Sequence, residues 1–160
     1  MSAAGEEARP QRRGRRIAMS AAEMDDYLAA ARTCRVASIG PSGPHVTPLW
    51  FVWHDGVLWL YSITRSQRWA DLMRDPRVAA VIDDGHEYVE LRGVEIRGEV
   101  TPVGEIPRTG AETVPELTAV EATFARKYGG GTDDDFGYDG RHGWLRLDPA
   151  KVVSWDFRKI

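Results

Sequence analysis

Cysteine is almost absent from this 160-residue chain, which contains only Cys34. One thiol cannot form an intramolecular disulfide or a cysteine-rich metal cluster, so a disulfide-stapled scaffold is excluded. Charged residues interrupt every apolar stretch well before the ~20 residues that a membrane-spanning helix requires. No apolar run follows the arginines near the N-terminus, as it would in a signal peptide. We therefore expect a cytoplasmic protein without membrane contact.

Several short catalytic and binding motifs are also missing. The chain has no G-x-G-x-x-G after a strand and no G-x-x-x-x-G-K-[ST], so neither common glycine-loop route to nucleotide binding is supported. It also lacks the G-x-S-x-G turn of serine hydrolases. The four histidines, His45, His54, His86 and His142, are scattered without i, i+4 or H-x-E spacing. No metal site is predicted.

A clustered excess of positive charge, which nucleic-acid binding needs, is not present in the body of the chain. The formal net charge is −3, and residues 1–16 hold five arginines against two glutamates, so the remainder is acidic. We therefore expect no nucleic-acid partner. The Arg, Glu, Gly and Pro content of residues 1–15 predicts a disordered basic tail, followed by a single domain over residues 16–160.

Three helices are indicated by capping and stop signals. Ser20-Ala21-Ala22-Glu23 has the form of a capping box and opens a helix that extends to Arg32. Ser66 can cap a short second helix, which Asp75-Pro76 would end because the residue before proline avoids helical angles. The spacing of Leu117, Val120 and Phe124 before three glycines predicts a third helix from Pro115 to Tyr128.

The rest of the chain reads as seven short strands separated by turn residues. They are predicted over residues 34–39, 45–53, 57–64, 77–83, 88–103, 144–147 and 151–157. Asp55-Gly56 favours a tight hairpin, and Asp148-Pro149 is interpreted as the turn of a closing hairpin. Because turns rather than helical crossovers join most strands, the predicted fold is mainly β, an antiparallel barrel with few helices.

Hydroxyl and guanidinium groups cluster where the third predicted strand meets the second helix. The residues are Ser62, Thr64, Arg65, Ser66 and Arg68. Free amides at a helix N-terminus, together with arginine, favour a bound phosphate, so this cluster is a candidate anion site. The alternative is a capped helix with surface arginines.

Aromatic residues are concentrated in the second and third predicted strands, where Trp50, Phe51, Trp53, Trp59 and Tyr61 lie within twelve residues. Alternation along a strand sends neighbours to opposite faces, so some of these rings would pack in the core. Others could line a groove for a planar ligand.

Five segments together resemble the pyridoxamine 5′-phosphate oxidase-like superfamily, the FMN-binding split barrels, over nearly all of residues 16–160. The matching segments are Arg16-Ile17-Ala18-Met19-Ser20, Pro44-His45-Val46-Thr47-Pro48-Leu49-Trp50-Phe51, Leu60-Tyr61-Ser62, Ser66-Gln67-Arg68 and Asp75-Pro76-Arg77-Val78. Within the superfamily the chain is most similar to small flavin or deazaflavin oxidoreductases. The resemblance implies a homodimeric antiparallel split β-barrel with two cofactor sites at the subunit interface.

The resemblance also implies which residues bind FMN or coenzyme F420. The backbone of Val46, Thr47, Pro48 and Leu49 would lie along the tricyclic ring. Tyr61 and Ser62 would take the place of the family's Tyr/Phe-Thr pair, and Ser66-Gln67-Arg68 that of its Ser-Arg-Lys phosphate grip. Gln67 replaces an arginine, whereas Arg68 replaces a lysine and keeps the charge. Thr64 and Arg65 complete the predicted set of cofactor-binding residues.

The implied activity is that of a flavoprotein oxidoreductase that transfers hydride to or from a small organic substrate. Pyridoxamine phosphate oxidation is not expected, because the substrate-binding extension of the true oxidase does not follow Ile160. No catalytic side chain is identified; His86, Tyr88, Glu90 and Arg92 are candidate contributors from a partner subunit. Two alternatives stay open, a haem-binding or haem-degrading protein with His45 or His142 on iron, and a non-catalytic flavin-binding protein.

Overall fold

The computed structural model describes residues 7–129 and 135–160. Within these ranges the chain forms three α-helices and seven β-strands. The helices are α1 (Ala21–Ala30), α2 (Gln67–Arg74) and α3 (Pro115–Tyr128). The strands are β1 (Cys34–Gly40), β2 (Gly43–Leu49), β3 (Phe51–His54), β4 (Val57–Ile63), β5 (Arg77–Asp84), β6 (Arg92–Val103) and β7 (His142–Asp156). No helix in the described part of the chain is long and apolar enough to cross a membrane.

All seven strands belong to one antiparallel sheet in the order β2-β1-β5-β6-β7-β4-β3. The two edge strands, β2 and β3, are joined by a single residue, Trp50. One residue can span only ~3.5 Å, so the sheet must curl until its two edges lie side by side. This arrangement confirms the predicted mainly β, antiparallel split barrel.

A hairpin lies at each edge of the sheet, and the one at Asp55-Gly56 is as predicted. Gly40 pairs with Gly43 at the β1–β2 turn. Asp55 and Gly56 connect β3 to β4 with φ values of 48° and 73°. Two consecutive positive φ angles are typical of the tight hairpin turn that an Asp-Gly pair favours.

The predicted closing hairpin at Asp148-Pro149 is wrong, because β7 is one continuous strand of 15 residues. Pro149 pairs with Gly98 where the register of β6 and β7 shifts. Such a bulge accommodates a proline, which cannot donate a ladder hydrogen bond. The predicted strand over residues 45–53 is likewise divided at Trp50 into β2 and β3.

The core lies on both sides of the curled sheet. Inside the barrel, Leu28 of α1 and Phe51, Leu60 and Leu145 of the strands are fully buried. On the outer side of β4 and β7, α3 covers a second cluster that includes Trp59, Tyr61, Leu117, Val120 and Trp144. Most of the aromatic residues noted in the sequence are therefore core residues. Trp50 is the exception at 48% exposure, and its ring stacks on Tyr128 at 4.3 Å.

Residues 7–15 lie along β7, which differs from the predicted disordered tail. The amide N–H of Arg9 donates to the Ala150 carbonyl at 3.0 Å. The Gln11 side chain bonds the backbone of Ser154 twice, donating at 3.1 Å and accepting at 3.0 Å. Composition cannot reveal this pairing, which depends on backbone contacts of Arg9 and on the side-chain amide of Gln11. The rest of the predicted tail, residues 1–6, lies outside the described residues.

Candidate functional site

Ser66 fixes the start of α2 at the end of β4. Its hydroxyl accepts a hydrogen bond from the Trp69 amide at 3.1 Å and donates to the Ile63 carbonyl at 2.8 Å. Because Arg68 lies in the first turn of this helix, its side chain reaches back over the sheet. Nε of Arg68 donates to the Ser62 hydroxyl at 3.1 Å, and Nη1 donates to the Thr47 hydroxyl.

The charge of Arg68 is not balanced within the described residues. Its side chain is 9% exposed, and it makes no ion pair with a described carboxylate. Burial lowers the pKa of Arg68. A buried cation surrounded by neutral hydroxyls is unfavourable unless an anion completes the site. The geometry therefore fits an anionic ligand group such as a phosphate.

Edge strand β2 provides a second element of the site. Thr47 and Leu49 face inward, whereas Val46 and Pro48 are exposed. The outer side of β2 has no neighbouring strand in the described sheet. Its backbone can therefore pair with a planar ligand that carries its own donors and acceptors.

Two buried polar atoms beside Thr47 have no hydrogen-bond partner in the described chain. They are Oγ of Ser38 and Nδ1 of His45, and these two residues are directly opposite each other on β1 and β2. Buried polar atoms are normally satisfied, so unpaired ones indicate a place where a ligand or water completes the structure. The inward face of β2 is therefore polar near Arg68.

Three other predicted cofactor residues do not join the Arg68 cluster. Gln67 donates to a carboxylate oxygen of buried Asp71 at 2.7 Å. The Thr64 hydroxyl donates to the Arg141 carbonyl at 3.2 Å and so ties β4 to β7. Arg65 is exposed and has no hydrogen bond or ion pair with the described residues. The structure thus brings Thr47, Ser62 and Arg68 together in one cluster, the Arg68 cluster. Thr64, Arg65 and Gln67 lie outside it.

Tyr61 lies on the opposite face of β4 from Ser62, within the aromatic cluster under α3. Its ring stacks on the imidazole of His142 at 4.5 Å with an interplanar angle of 17°. The Tyr61 hydroxyl is buried without a partner in the described chain, and burial raises its pKa. The stacked His142 is in turn held by Asp139, whose Oδ2 lies 2.5 Å from Nδ1.

The Asp139–His142 pair was not identified from the sequence, which raised His142 only as a haem ligand. The available signal was the spacing Asp-x-x-His in a turn directly before a strand. That spacing is too common to indicate a site by itself, and only the fold places it beside Tyr61. His86, Tyr88, Glu90 and Arg92 lie on and next to the β5–β6 connection, and none contacts the Arg68 cluster.

Comparisons with known proteins agree with this architecture. The model of a family described as pyridoxamine 5′-phosphate oxidase matches residues 20–156. A conserved hypothetical protein from Mycobacterium tuberculosis is 34% identical, with 94% of this chain and 92% of that chain covered and a TM-score of 0.76. The search of curated proteins finds no match.

Two more distant solved structures share the fold. An F420 reductase is 22% identical over 81% of this chain and 94% of its own, with a TM-score of 0.57. A FAD-binding protein from Mesorhizobium loti is 17% identical over 85% of this chain and 92% of its own, with a TM-score of 0.59.

Proposed function

The chain belongs to the pyridoxamine 5′-phosphate oxidase family, and on that premise we propose that it is an oxidoreductase with a flavin-type cofactor, FMN or coenzyme F420. It would transfer hydride to or from a small organic substrate. The observation that carries the proposal is the buried Arg68 guanidinium, which bonds two hydroxyls and no described carboxylate. Both cofactors contain a phosphate that would supply the missing negative charge.

The residues that would hold the cofactor follow from the site. Arg68, Ser62 and Thr47 would bind the phosphate, and the free backbone edge of β2 from Val46 to Leu49 would line the ring. When bound, the cofactor supplies the hydride chemistry, while the protein contributes placement and electrostatics. Gln67 is committed to Asp71, so Arg68 would provide most of the attraction.

Relatives of the same fold support the cofactor class. They include an F420 reductase and a FAD-binding protein. Both F420 and FAD contain a large tricyclic ring, so the fold of these relatives is compatible with a cofactor of that shape. Their low identity supports a flavin-type cofactor in general and does not favour one member of the class. A direct comparison of FMN with F420 is therefore part of the test.

We further propose a homodimer with cofactor sites at its interface. The outward side of β1 and β2 carries exposed apolar side chains next to the Arg35–Asp83 ion pair, with Ile39 at 40% and Val46 at 64% exposure. Pro44 and Pro48 extend this face along β2. A contiguous exposed apolar surface on a small domain is typical of a protein interface. Val46 and Pro48 also belong to the predicted ring site, so a partner would cover the ring.

The decisive test is a titration of FMN and F420 into the wild type and two Arg68 variants, followed by fluorescence. Arg68→Met removes the charge but retains much of the side-chain volume, and Arg68→Lys retains the charge. A charged hydrogen bond contributes ~1.5–3 kcal/mol, so Arg68→Met should weaken binding about ten- to a hundredfold. Arg68→Lys should lose less.

Arg65→Met is the matched control, because Arg65 is an exposed arginine three residues away without a described partner. Equal affinities for the wild type and Arg68→Met would contradict the phosphate site. A Soret band in the purified protein would favour the haem alternative. Cofactor binding without turnover would favour the non-catalytic flavin-binding alternative.

A further inference from the structure

Asp139 and His142 form a carboxylate–imidazole pair at the start of β7. Oδ1 of Asp139 accepts the backbone N–H groups of Arg141 at 2.8 Å and His142 at 3.1 Å. Oδ2 lies 2.5 Å from Nδ1 of His142. Burial acts to raise the pKa of Asp139, but these hydrogen bonds outweigh it and hold the pKa below its ordinary value. The carboxylate is therefore ionised at neutral pH.

The hydrogen bonding fixes the tautomer of the imidazole. An ionised carboxylate can only accept hydrogen bonds, so Nδ1 of His142 must carry the proton that faces Asp139. Nε2 is then the nitrogen that gains and loses a proton, and it makes no hydrogen bond to the described residues. The side chain is 24% exposed, which allows exchange with solvent. A carboxylate that orients a base in this way is a recurrent arrangement in catalysis.

The pair borders on the candidate cofactor site. In the β4–β7 register, His142 is opposite Ile63, and Gly143 is opposite Ser62. The imidazole stacks on Tyr61 at 4.5 Å, and the Arg141 carbonyl accepts the Thr64 amide at 2.9 Å. Ser62 of the Arg68 cluster is thus paired with the residue that follows His142, while the imidazole lies with Tyr61 on the opposite face of β4.

We propose that His142 is the general acid–base residue of the reaction, oriented by Asp139, and that the substrate has a polarised C=C or C=O bond. This inference rests on the proposed function. In the reducing direction, one substrate atom forms a C–H bond with the hydride, whose electron pair comes from the reduced cofactor. The π electrons move to the other atom, which takes the proton from Nε2 of the imidazolium.

This step balances atoms and electrons. The substrate gains a hydride and a proton and is reduced, while the cofactor loses the hydride and is oxidised. The broken N–H bond leaves its electron pair on Nε2, so His142 becomes neutral and recovers a proton from water. Asp139 stays ionised throughout and holds the orientation of the imidazole. In the oxidising direction the same imidazole accepts the proton.

The groups around His142 come from the turn before β7, from β4 and from α3. Asp139 precedes β7, and Tyr61 of β4 covers one face of the imidazole. Glu121 of α3 and Tyr138 contribute to raising the pKa of Tyr61, and Arg108 acts to lower it. Arg108 and Tyr138 each donate a hydrogen bond to the Glu121 carboxylate. Among these groups Asp139 alone contacts the imidazole through a charge. It therefore orients the imidazole for proton transfer.

The first test needs no cofactor. Nitrogen NMR of the histidine-labelled protein should show His142 with its proton on Nδ1, the signal being assigned by its loss in His142→Gln. Asp139→Asn should weaken that preference. A neutral His142 with its proton on Nε2 would overturn the inference.

The second test separates chemistry from binding in the protein loaded with chemically reduced FMN or F420, with the quinone menadione as the hydride and proton acceptor. His142→Ala should bind FMN or F420 with an affinity within about twofold of the wild type. Its rate of quinone reduction should fall about a hundred- to ten-thousandfold, the usual contribution of general acid catalysis. The pH profile should lose one ionisation, and added imidazole should restore part of the rate. His54→Ala, at the β3–β4 hairpin, is the matched control.

Each result decides between the two levels of the proposal. An unchanged rate in His142→Ala, or a lost rate that imidazole does not restore while binding is intact, would overturn the acid–base role. So would a wild type that binds a cofactor but reduces no quinone. A wild type that binds neither cofactor would instead contradict the proposed function, while the NMR result would still report on the Asp139–His142 pair.

Discussion

At the scale of single residues, two buried arginines differ in how their charges are balanced. Arg108 is 3% exposed, and its guanidinium bonds the carboxylate of Glu121 at 2.7 and 3.3 Å and that of Glu105 as well. The hydrogen bonds to Glu121 contribute most to raising the pKa of Arg108. Arg68 has only hydroxyl partners. A self-contained ion pair indicates a structural role, whereas the uncompensated charge indicates a ligand.

The structural role of Arg108 leads to a stability prediction for Glu121. This carboxylate also accepts hydrogen bonds from Tyr138 at 2.9 Å and Trp144 at 3.2 Å. Glu121→Ala should lower the free energy of unfolding by ~3–5 kcal/mol, because the buried Arg108 loses one of its two carboxylate partners and the Tyr138 and Trp144 donors lose their acceptor. Glu116→Ala, which removes an exposed partner of Arg146, should cost less than ~1 kcal/mol. Urea unfolding measures both, and equal losses would show that the buried pair is not structural.

Residue-level reasoning predicted some members of the candidate site and missed others. Arg68 and Ser62 could be named because residue type and position next to a helix start already indicate an anion site. The engagement of Gln67 with Asp71 could not be read from the sequence, because a glutamine near a helix start has many partners within reach. The Asp139–His142 pair depends on contacts across β4 and β7. Their binding and catalytic roles stay predictions until tested.

At the scale of elements, local signals decided what could be predicted. The limits of α3 were predicted correctly, since a proline at its start and a glycine after its end are local signals. The continuity of β7 was not, because Asp148-Pro149 is equally typical of a turn and of a bulge. The choice depends on Gly98 in the partner strand, about fifty residues earlier.

The bulge gives an element-scale prediction for Gly98. A Cβ atom at this position would lie 2.5 Å from the Asp148 carbonyl oxygen and 2.9 Å from a Leu147 methyl group. Gly98→Ala should therefore lower the free energy of unfolding by ~1–3 kcal/mol, as overpacking of a tight site does. Gly137→Ala is the matched control, because nothing lies within 4 Å of its Cβ. A thermal melt in which both variants match the wild type would show that β6 and β7 can separate at the bulge.

At the scale of the whole molecule, the outward face of β1 and β2 exposes apolar side chains, among them Ile39 and Val46, to solvent. Cross-strand register places Ala37 opposite Val46 on β2 and Ala79 on β5, so the face spans three strands. Burying such a face stabilises association by ~25 cal/mol per Å² of apolar area. A second copy of the chain is the partner that the proposed interface site requires.

Val46→Asp tests this surface. The wild type should sediment at twice the 17.9 kDa chain mass at micromolar concentration, and Val46→Asp should sediment as a monomer because a carboxylate would be buried at the centre of the interface. Ile106→Asp should remain dimeric, since Ile106 is also exposed, at 51%, but lies in the β6–α3 connection. A monomeric wild type would contradict the dimer and its shared sites.

The strand order has a consequence for how the barrel is completed during synthesis. Hairpin β3–β4 joins the sheet only through β7, the last strand to be made, although it precedes β7 by about eighty residues. A chain emerging from the ribosome can therefore pair β1, β2, β5 and β6 while β3 and β4 still lack their neighbour. Contacts between such distant segments form slowly. We infer that the half of the barrel containing Tyr61 and Ser62 is the last to acquire its native neighbours, after β7 has been made.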